Sequence, residues 1–202
     1  MMPRLLASAL LLTMLFALMI GGLRLLPPDR VVTSFFGDCS MPCWNGIEAG
    51  VTSRSDALAL LKSLGWVLQA DCNAAVYDAC ADLTRADSHQ EAFVYIEADQ
   101  VAEIALFNPG FVVGDVWLAY GAPEIAGIAP DPSPMTLLNT SLWFERAQIS
   151  THIDLACPAP FGDLLQSPID SLLVWLPGSA MDGTVRGTLA DLRRTFHQVC
   201  GI

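Results

Sequence analysis

The sequence has few basic residues. Ten lysines and arginines stand against 21 aspartates and glutamates in 202 residues, so the formal net charge is −11. Arg4, Arg24 and Arg30 flank an N-terminal apolar segment, which leaves seven basic residues against twenty acidic ones in the rest of the chain. Nucleic acids and anionic lipid surfaces both require a basic face on the protein. The composition therefore argues against both kinds of partner, and the singly scattered acidic residues are typical of a solvated surface.

The sequence also lacks a recognisable catalytic or metal-binding group. The histidines are His89, His152 and His197. His152 and Asp154 share one face of a predicted strand, but no nucleophile or third orienting group accompanies them. A zinc site usually needs two Cys-x₂₋₄-Cys pairs, and only Cys39 and Cys43 have that spacing. We therefore predict no catalytic residue, no metal ligand and no cofactor.

An uncharged, mostly apolar segment occupies residues 5–23, between Arg4 and Arg24. About 20 residues at about 1.5 Å per residue match a hydrocarbon core of about 30 Å, so the segment predicts a single transmembrane helix. A cleaved signal peptide would have a shorter apolar region that ends in small residues of the Ala-x-Ala kind. We predict that residues 1–30 form a retained anchor. Cleavage after Gly21 or Gly22, which would release a secreted protein, is the alternative.

All six cysteines follow this segment, and an even number of cysteines behind an export segment is typical of disulfides formed outside the cytosol. We therefore predict that residues 31–202 are extracytoplasmic. Proximity along the chain favours one pairing among fifteen: Cys39–Cys43, Cys72–Cys80 and Cys157–Cys200. A redox-active pair at Cys39 and Cys43 is the alternative, although such pairs normally have the form Cys-x-x-Cys at a helix N-terminus.

The hydrophobic periodicity predicts helices and strands in alternating groups. A helix begins after Ser53, which stands three residues before Asp56 in a capping-box-like arrangement, and ends before Gly65. Residues 31–36 are predicted to be a strand or a short stalk, with the domain beginning near Cys39. Further predicted helices cover residues 114–120 and 188–199. The predicted strands cover residues 66–70, 75–83, 92–96, 101–107, 141–145, 148–156 and 171–176. A proline-rich loop with Pro130, Pro132 and Pro134 precedes the hairpin at 141–156.

This order predicts the α+β class, with an antiparallel sheet packed by helices behind the N-terminal transmembrane helix. We expect one exported domain over residues 31–202, built from two helix-plus-hairpin units at about 46–107 and 108–202. The hairpin at 92–107 is apolar on both faces, so we expect it inside the sheet rather than at an edge.

Two short motifs flank the first two helices: Gly46-Ile47-Glu48-Ala49-Gly50-Val51-Thr52 before the first, and Tyr120-Gly121-Ala122-Pro123 after the second. In these motifs the chain resembles the SmpA/BamE outer-membrane-assembly lipoproteins and the related β-lactamase inhibitor proteins, whose units open with Gly-[Met or Val]-Thr and close the helix with Leu-Gly-x-Pro. The resemblance covers residues 46–156. It implies a curved antiparallel sheet with helices on one side, and a role in binding proteins at the cell envelope.

The resemblance is incomplete, because the opening motif is intact only in the first unit and the closing motif only in the second. The cysteine-bearing insertion before the first hairpin and the C-terminal third also depart from those families. We therefore carry over none of their partners or binding residues.

The best candidate for a binding surface is the face of the second hairpin opposite its apolar stripe, with Trp143, Glu145, Ser150 and His152. An exposed tryptophan on a sheet face would anchor a partner. We accordingly predict a membrane-anchored, extracytoplasmic binding protein without catalytic activity, which binds another envelope protein or a ligand. The alternative is an extracytoplasmic thiol-disulfide oxidoreductase that uses Cys39 and Cys43.

Overall fold

The computed structural model describes residues 12–15, 30–37, 39, 41–72, 77–85, 90–130, 137–156, 161–175 and 186–200. Of the predicted membrane span, residues 12–15 are described, and they are helical. Within the described ranges no helix is long and apolar enough to cross a membrane. The remainder of the span lies outside these ranges, so the anchor at residues 5–23 stays a prediction.

The described residues form helices and strands as follows. The α-helices are α1 (Arg30–Phe36), α2 (Arg54–Ser63), α3 (Val113–Tyr120) and α4 (Leu189–Cys200), and a 3₁₀ helix spans Phe161–Gln166. The strands are β1 (Cys43–Trp44), β2 (Ile47–Glu48), β3 (Trp66–Cys72), β4 (Ala79–Arg85), β5 (Glu91–Glu97), β6 (Gln100–Phe107), β7 (Ile125–Pro130), β8 (Leu137–Phe144), β9 (Ile149–Ala156), β10 (Ser171–Trp175) and β11 (Arg186–Gly187).

Nine strands form one antiparallel sheet in the order β11-β7-β8-β9-β10-β6-β5-β4-β3, and β1 pairs with β2 separately. The sheet contains two runs of consecutive strands, β3 to β6 and β7 to β10. The last strands of the two runs, β6 and β10, pair with each other, with Leu172 opposite Leu106 and Val174 opposite Ile104. This confirms the α+β class with a large antiparallel sheet. Each of the helices α2 and α3 is followed by four strands rather than by a single hairpin.

Local signals in the sequence account for the helix α2. Ser53 has an extended backbone, and its side chain accepts a hydrogen bond from the Asp56 backbone N–H at 3.1 Å, which satisfies one of the free donors at the helix start. The helix ends at Leu64, and Gly65 follows with a φ of +87°, which a side chain at this position would strain. Ala57 and Leu61 point inward and are fully buried.

The prediction of a strand or stalk at residues 31–36 is wrong, because this segment is the helix α1 and belongs to the domain. Val32 and Phe36 are buried at 0% and 2% exposure. The Phe36 ring meets the Tyr120 ring edge-on at 5.7 Å, and Phe35 meets Phe111 at 5.0 Å. Aromatic packing against α3 therefore stabilises a short helix that residue pattern alone does not predict. The domain begins before Cys39.

The strand β7 was also not predicted. Its sequence, Ile-Ala-Gly-Ile-Ala-Pro, includes Pro130, which we assigned to a loop. In the structure β7 pairs with β8 along its whole length, from Ile125 opposite Trp143 to Pro130 opposite Leu138. The strand β8 is therefore an interior strand with neighbours on both sides.

One face of the sheet, the core face, carries the hydrophobic core. Rows of buried apolar side chains cross the strands, such as Leu83, Ala92, Leu106, Leu172 and Leu142. The buried residues of α1, α2, α3 and α4 join this same cluster. The opposite side, the second face, contributes none of its side chains to this core cluster, and the described helices do not pack on it. The predicted interior position of the 92–107 hairpin is confirmed by the pairing of β5 with β4 and of β6 with β10.

Two of the three predicted disulfides are present in the structure, Cys39–Cys43 and Cys72–Cys80. Cys72 and Cys80 are directly opposite each other on β3 and β4, with Cα atoms 4.9 Å apart. The bond therefore joins the edge strand to its neighbour. The predicted Cys157–Cys200 pair lies outside the residues whose side chains are described.

Candidate functional site

The second face carries an aromatic group, formed by Tyr77, Phe93, Tyr95 and Phe107, on and beside the central strands β5 and β6. The ring centroids of Tyr77 and Tyr95 are 4.8 Å apart, and those of Phe93 and Phe107 are 5.4 Å apart. All four side chains are only half-buried. Strand alternation brings them to this face, because Ala92, Val94 and Ile96 between them point into the core. Half-exposed rings at the centre of a sheet are unusual for a purely structural surface.

Beside this group lies a cleft of about 370 Å³ that runs across β5, β6, β10, β9 and β8. Its lining residues are Tyr95, Glu103, Ala105, Phe107, Asn139, His152, Asp154, Asp170, Ser171 and Leu173. The middle of the cleft is apolar, and carboxyl groups stand at both ends. No lysine or arginine is among the described residues that line it.

Glu103 is the most deeply buried carboxyl group of the cleft. It lies on β6, opposite Tyr95 on β5 and Trp175 on β10, and is 9% exposed. The Tyr77 hydroxyl donates a hydrogen bond to Glu103 Oε2 at 2.9 Å. Burial raises the pKa of Glu103, and the hydrogen bond from Tyr77 opposes that rise. Burial and the charge of Glu103 likewise raise the pKa values of Tyr77 and Tyr95.

His152 and Ser141 form a hydrogen-bonded pair at the other end of the cleft. They are opposite each other on β9 and β8, and the distance between Ser141 Oγ and His152 Nδ1 is 2.8 Å. Burial lowers the pKa of His152, and the nearby carboxylates of Asp154 and Asp170 oppose that change. Asp170 Oδ2 also accepts a hydrogen bond from the Asp154 backbone N–H at 2.8 Å. The carboxyl groups of Asp154 and Asp170 make this end of the cleft acidic.

The Ser141–His152 pair resembles two members of a nucleophilic triad, but its geometry does not suit catalysis. Ser141 is 2% exposed, so its hydroxyl cannot meet a substrate without a rearrangement of the sheet. A nucleophile needs both activation by a base and access to the reacting carbon. The pair is better explained as a cross-strand contact that satisfies two buried polar groups.

The structure places the four residues of the predicted binding surface differently from the prediction. Trp143 is 3% exposed and Ser150 is fully buried, so the expected exposed tryptophan anchor is wrong. The sequence analysis also missed β7, which lies along the outer edge of β8 and places Ile125 opposite Trp143. Glu145 is exposed but lies in the turn after β8, where its backbone N–H donates to Glu124 at 3.0 Å. Of the four, His152 alone lines the cleft.

Residues that the sequence analysis missed make up most of the site: Tyr95, Glu103, Phe107 and Asp170. One feature of the sequence indicated this site. Glu103 is a charged residue within the apolar strand 101–107, which was predicted to be interior. Burying a carboxyl group costs free energy unless the group is paired or hydrogen-bonded, so its presence in a buried strand indicates a functional role.

The environment of Cys39 and Cys43 does not favour the redox alternative. Cys39 follows the C-terminal end of α1, where the partial negative charge of the helix disfavours a thiolate. A catalytic cysteine is usually found at the opposite end of a helix. Cys43 is 3% exposed, on the short strand β1. Among the described residues no group of histidine, cysteine and acidic side chains has an arrangement that could hold a metal ion.

Comparison of the chain with protein-family models, with curated proteins and with solved structures gives no match. The resemblance of residues 46–156 to the SmpA/BamE and β-lactamase inhibitor families therefore stays a prediction. The case for a function depends on the geometry of the second face.

Proposed function

We propose that this chain is an extracytoplasmic binding protein, anchored by residues 5–23, whose folded domain holds another envelope protein against its second face. The observation that carries the proposal is the cleft with its half-buried aromatic group, on a sheet face where the described helices do not pack. Aromatic side chains supply much of the binding energy at protein interfaces.

The shape and chemistry of the surface favour a protein over a small molecule as the partner. The cleft has a volume near the lower end of the range for small-molecule pockets, about 300–1,000 Å³. The half-buried rings of Phe93 and Tyr77 lie beside it and extend the apolar area beyond its walls. A partner that covers both the cleft and the rings would bury more apolar surface than a ligand confined to the cleft.

The two disulfides in the structure support the proposed compartment. Disulfides persist in oxidising surroundings and are rare in the cytosol. Cys72–Cys80 and Cys39–Cys43 lie at the sheet edge and near the start of the domain, where they would stabilise a domain outside the cell interior. This agrees with a membrane anchor at residues 5–23.

The strand order supports a further part of the proposal, that the domain contains two related units. A helix followed by four antiparallel strands occurs twice, as α2 with β3 to β6 and as α3 with β7 to β10. The two units would meet at the β6–β10 pair. The cleft crosses this junction, so both units would contribute to one binding surface.

Site-specific photocrosslinking in the cells that make the protein tests this proposal. The photoreactive amino acid p-benzoylphenylalanine replaces Phe93 on the second face in one variant and Leu118 on α3, which is 76% exposed, in the other. We expect one discrete crosslinked protein from position 93 and not from position 118. Mass spectrometry then identifies it.

A competition experiment with purified full-length chain in detergent makes the crosslinking test quantitative. Wild-type chain should suppress the crosslink from position 93. Phe93→Ser should require at least about tenfold more protein, since an interface hot spot contributes about 2 kcal/mol or more. Leu118→Ser should compete like the wild type. Equal crosslinking from positions 93 and 118, or no crosslink from position 93, would contradict the proposal.

A further inference from the structure

Resting on the proposed function, we infer that the cleft takes a positively charged side chain of the partner, an arginine or a lysine, which pairs with Glu103 and lies against the ring of Tyr95. The partner's next apolar side chain would then occupy the middle of the cleft, on Ala105 and Leu173.

Among the described residues, no cation pairs with the buried carboxyl group of Glu103. It is 9% exposed, and Tyr77 is the donor that the described residues offer it, at Oε2. A buried carboxylate normally has a cation or several hydrogen-bond donors. The ion pairs of the described residues lie elsewhere, at Arg54–Asp71, Arg146–Glu124 and Arg194–Asp191. A cation from a partner would supply the charge that the described residues do not.

Aromatic rings form a wall beside Glu103. Tyr95 is directly opposite Glu103 on the neighbouring strand, and Tyr77 lies 4.8 Å from Tyr95, centroid to centroid. A guanidinium or ammonium group is attracted to the face of an aromatic ring as well as to a carboxylate. One cation seated on Glu103 can therefore use both interactions.

The cleft is acidic at both ends and long enough for a short peptide segment. Glu103 stands at one end, and Asp154 and Asp170 line the other end, near His152. Glu103 and Phe107 are four residues apart on β6, about 13 Å at about 3.3 Å per residue. That length fits a short extended segment, with a cation at the Glu103 end and an apolar residue on Ala105 and Leu173. The acidic far end would repel a carboxylate and would admit a second cation.

Fluorine NMR on the full-length chain in detergent provides a direct test. The chain has three tyrosines. Tyr77 and Tyr95 lie beside Glu103, whereas Tyr120 packs on the core side against Phe36 and serves as an internal control. The tyrosines are replaced by 3-fluorotyrosine. The probes are acetyl-Leu-Arg-Leu-amide and the same peptide with citrulline, which has nearly the shape of arginine but no charge, at constant ionic strength.

We expect the arginine peptide to shift the Tyr77 and Tyr95 signals in a saturable manner and to leave Tyr120 unchanged. The citrulline peptide should need at least tenfold higher concentration. Glu103→Gln should abolish this preference for arginine, while an unchanged Tyr120 signal shows that the variant is folded. Leu118→Ser, at an exposed position of α3 away from the second face, should retain the preference.

Equal shifts by both peptides would overturn the inference, as would the absence of any shift at Tyr77 and Tyr95, or an arginine preference that survives in Glu103→Gln. These failures differ from failure of the proposed function. If the crosslink from position 93 forms but the cleft does not prefer arginine, the face binds a protein by other chemistry. If the crosslink is absent while arginine is preferred, the cleft binds a cation but no protein partner.

Discussion

At the level of single residues, Trp143 differs most from its prediction, because it was expected to be exposed and is buried. The alternation of β8 places Trp143 on the second face, and sequence reasoning treated that face as exposed. In the structure β7 lies beside β8, and Trp143 is 3% exposed. We expect Trp143→Ala to lower the free energy of unfolding by about 3–5 kcal/mol, the usual cost of removing a large buried aromatic side chain.

Urea denaturation monitored by circular dichroism measures this loss. Leu118→Ala, at an exposed position of α3, should change the stability by less than about 0.5 kcal/mol and is the matched control. A Trp143→Ala variant that is as stable as the wild type but has lost its partner would restore the original interpretation of Trp143 as a surface anchor.

Glu103 gives a prediction about pH. Burial raises its pKa in the folded state, so the folded chain keeps this proton to a higher pH than the unfolded chain does. The ionised group therefore costs stability as the pH rises above its ordinary value of 4.5. Glu103→Gln cannot ionise and can still accept the hydrogen bond from Tyr77.

We expect Glu103→Gln to melt a few degrees higher than the wild type at pH 7, with a difference that shrinks as the pH falls toward 4. Thermal unfolding of both proteins across this pH range makes the comparison. A difference that stays constant between pH 4 and pH 8 would contradict the ionisation cost. Together with a loss of cation binding, a stability gain would identify Glu103 as a residue kept for function rather than for folding.

At the scale of elements, the sequence was sufficient where the signals are local. The cap at Ser53 and the glycine at position 65 delimit α2, and the alternating residues of β5 and β6 lie around a turn where Ala98 and Asp99 have positive φ. The helix α2 and the hairpin of β5 and β6 are present as predicted. The strand β7 was missed because its alanines, glycine and proline have weak β propensity, and its pairing with β8 is what stabilises it.

The helix α1 was missed for a related reason. Seven residues are too few for a stable isolated helix, so tertiary packing must hold it. We expect Phe36→Ala to cost about 3–5 kcal/mol in the free energy of unfolding, because its ring is buried against Tyr120. Ser34→Ala, at an exposed position of the same helix, should cost much less.

Chemical denaturation of the two variants makes this comparison. If α1 were a stalk outside the domain, Phe36→Ala and Ser34→Ala would both leave the unfolding transition unchanged. That result would place the start of the domain near Cys39, as the sequence analysis predicted.

At the scale of the whole molecule, the arrangement of the two strand runs decides where a binding site can form. The pairing of β6 with β10 joins residues more than sixty positions apart and creates the cleft between them. Nothing in the local pattern of either strand specifies that partner, so the candidate site could not be assembled from the sequence. The fold class needed only the local patterns, whereas the site needed the order of the strands.

The proposed function requires that a partner covers the aromatic part of the second face. Hydroxyl-radical footprinting in the cells that make the protein, compared with purified full-length chain, tests it most directly. We expect oxidation of Phe93, Tyr95 and Phe107 to fall severalfold in cells, while Leu118 on the opposite side is oxidised equally in both samples. Equal oxidation of the three aromatic residues in cells and in isolation would contradict the account.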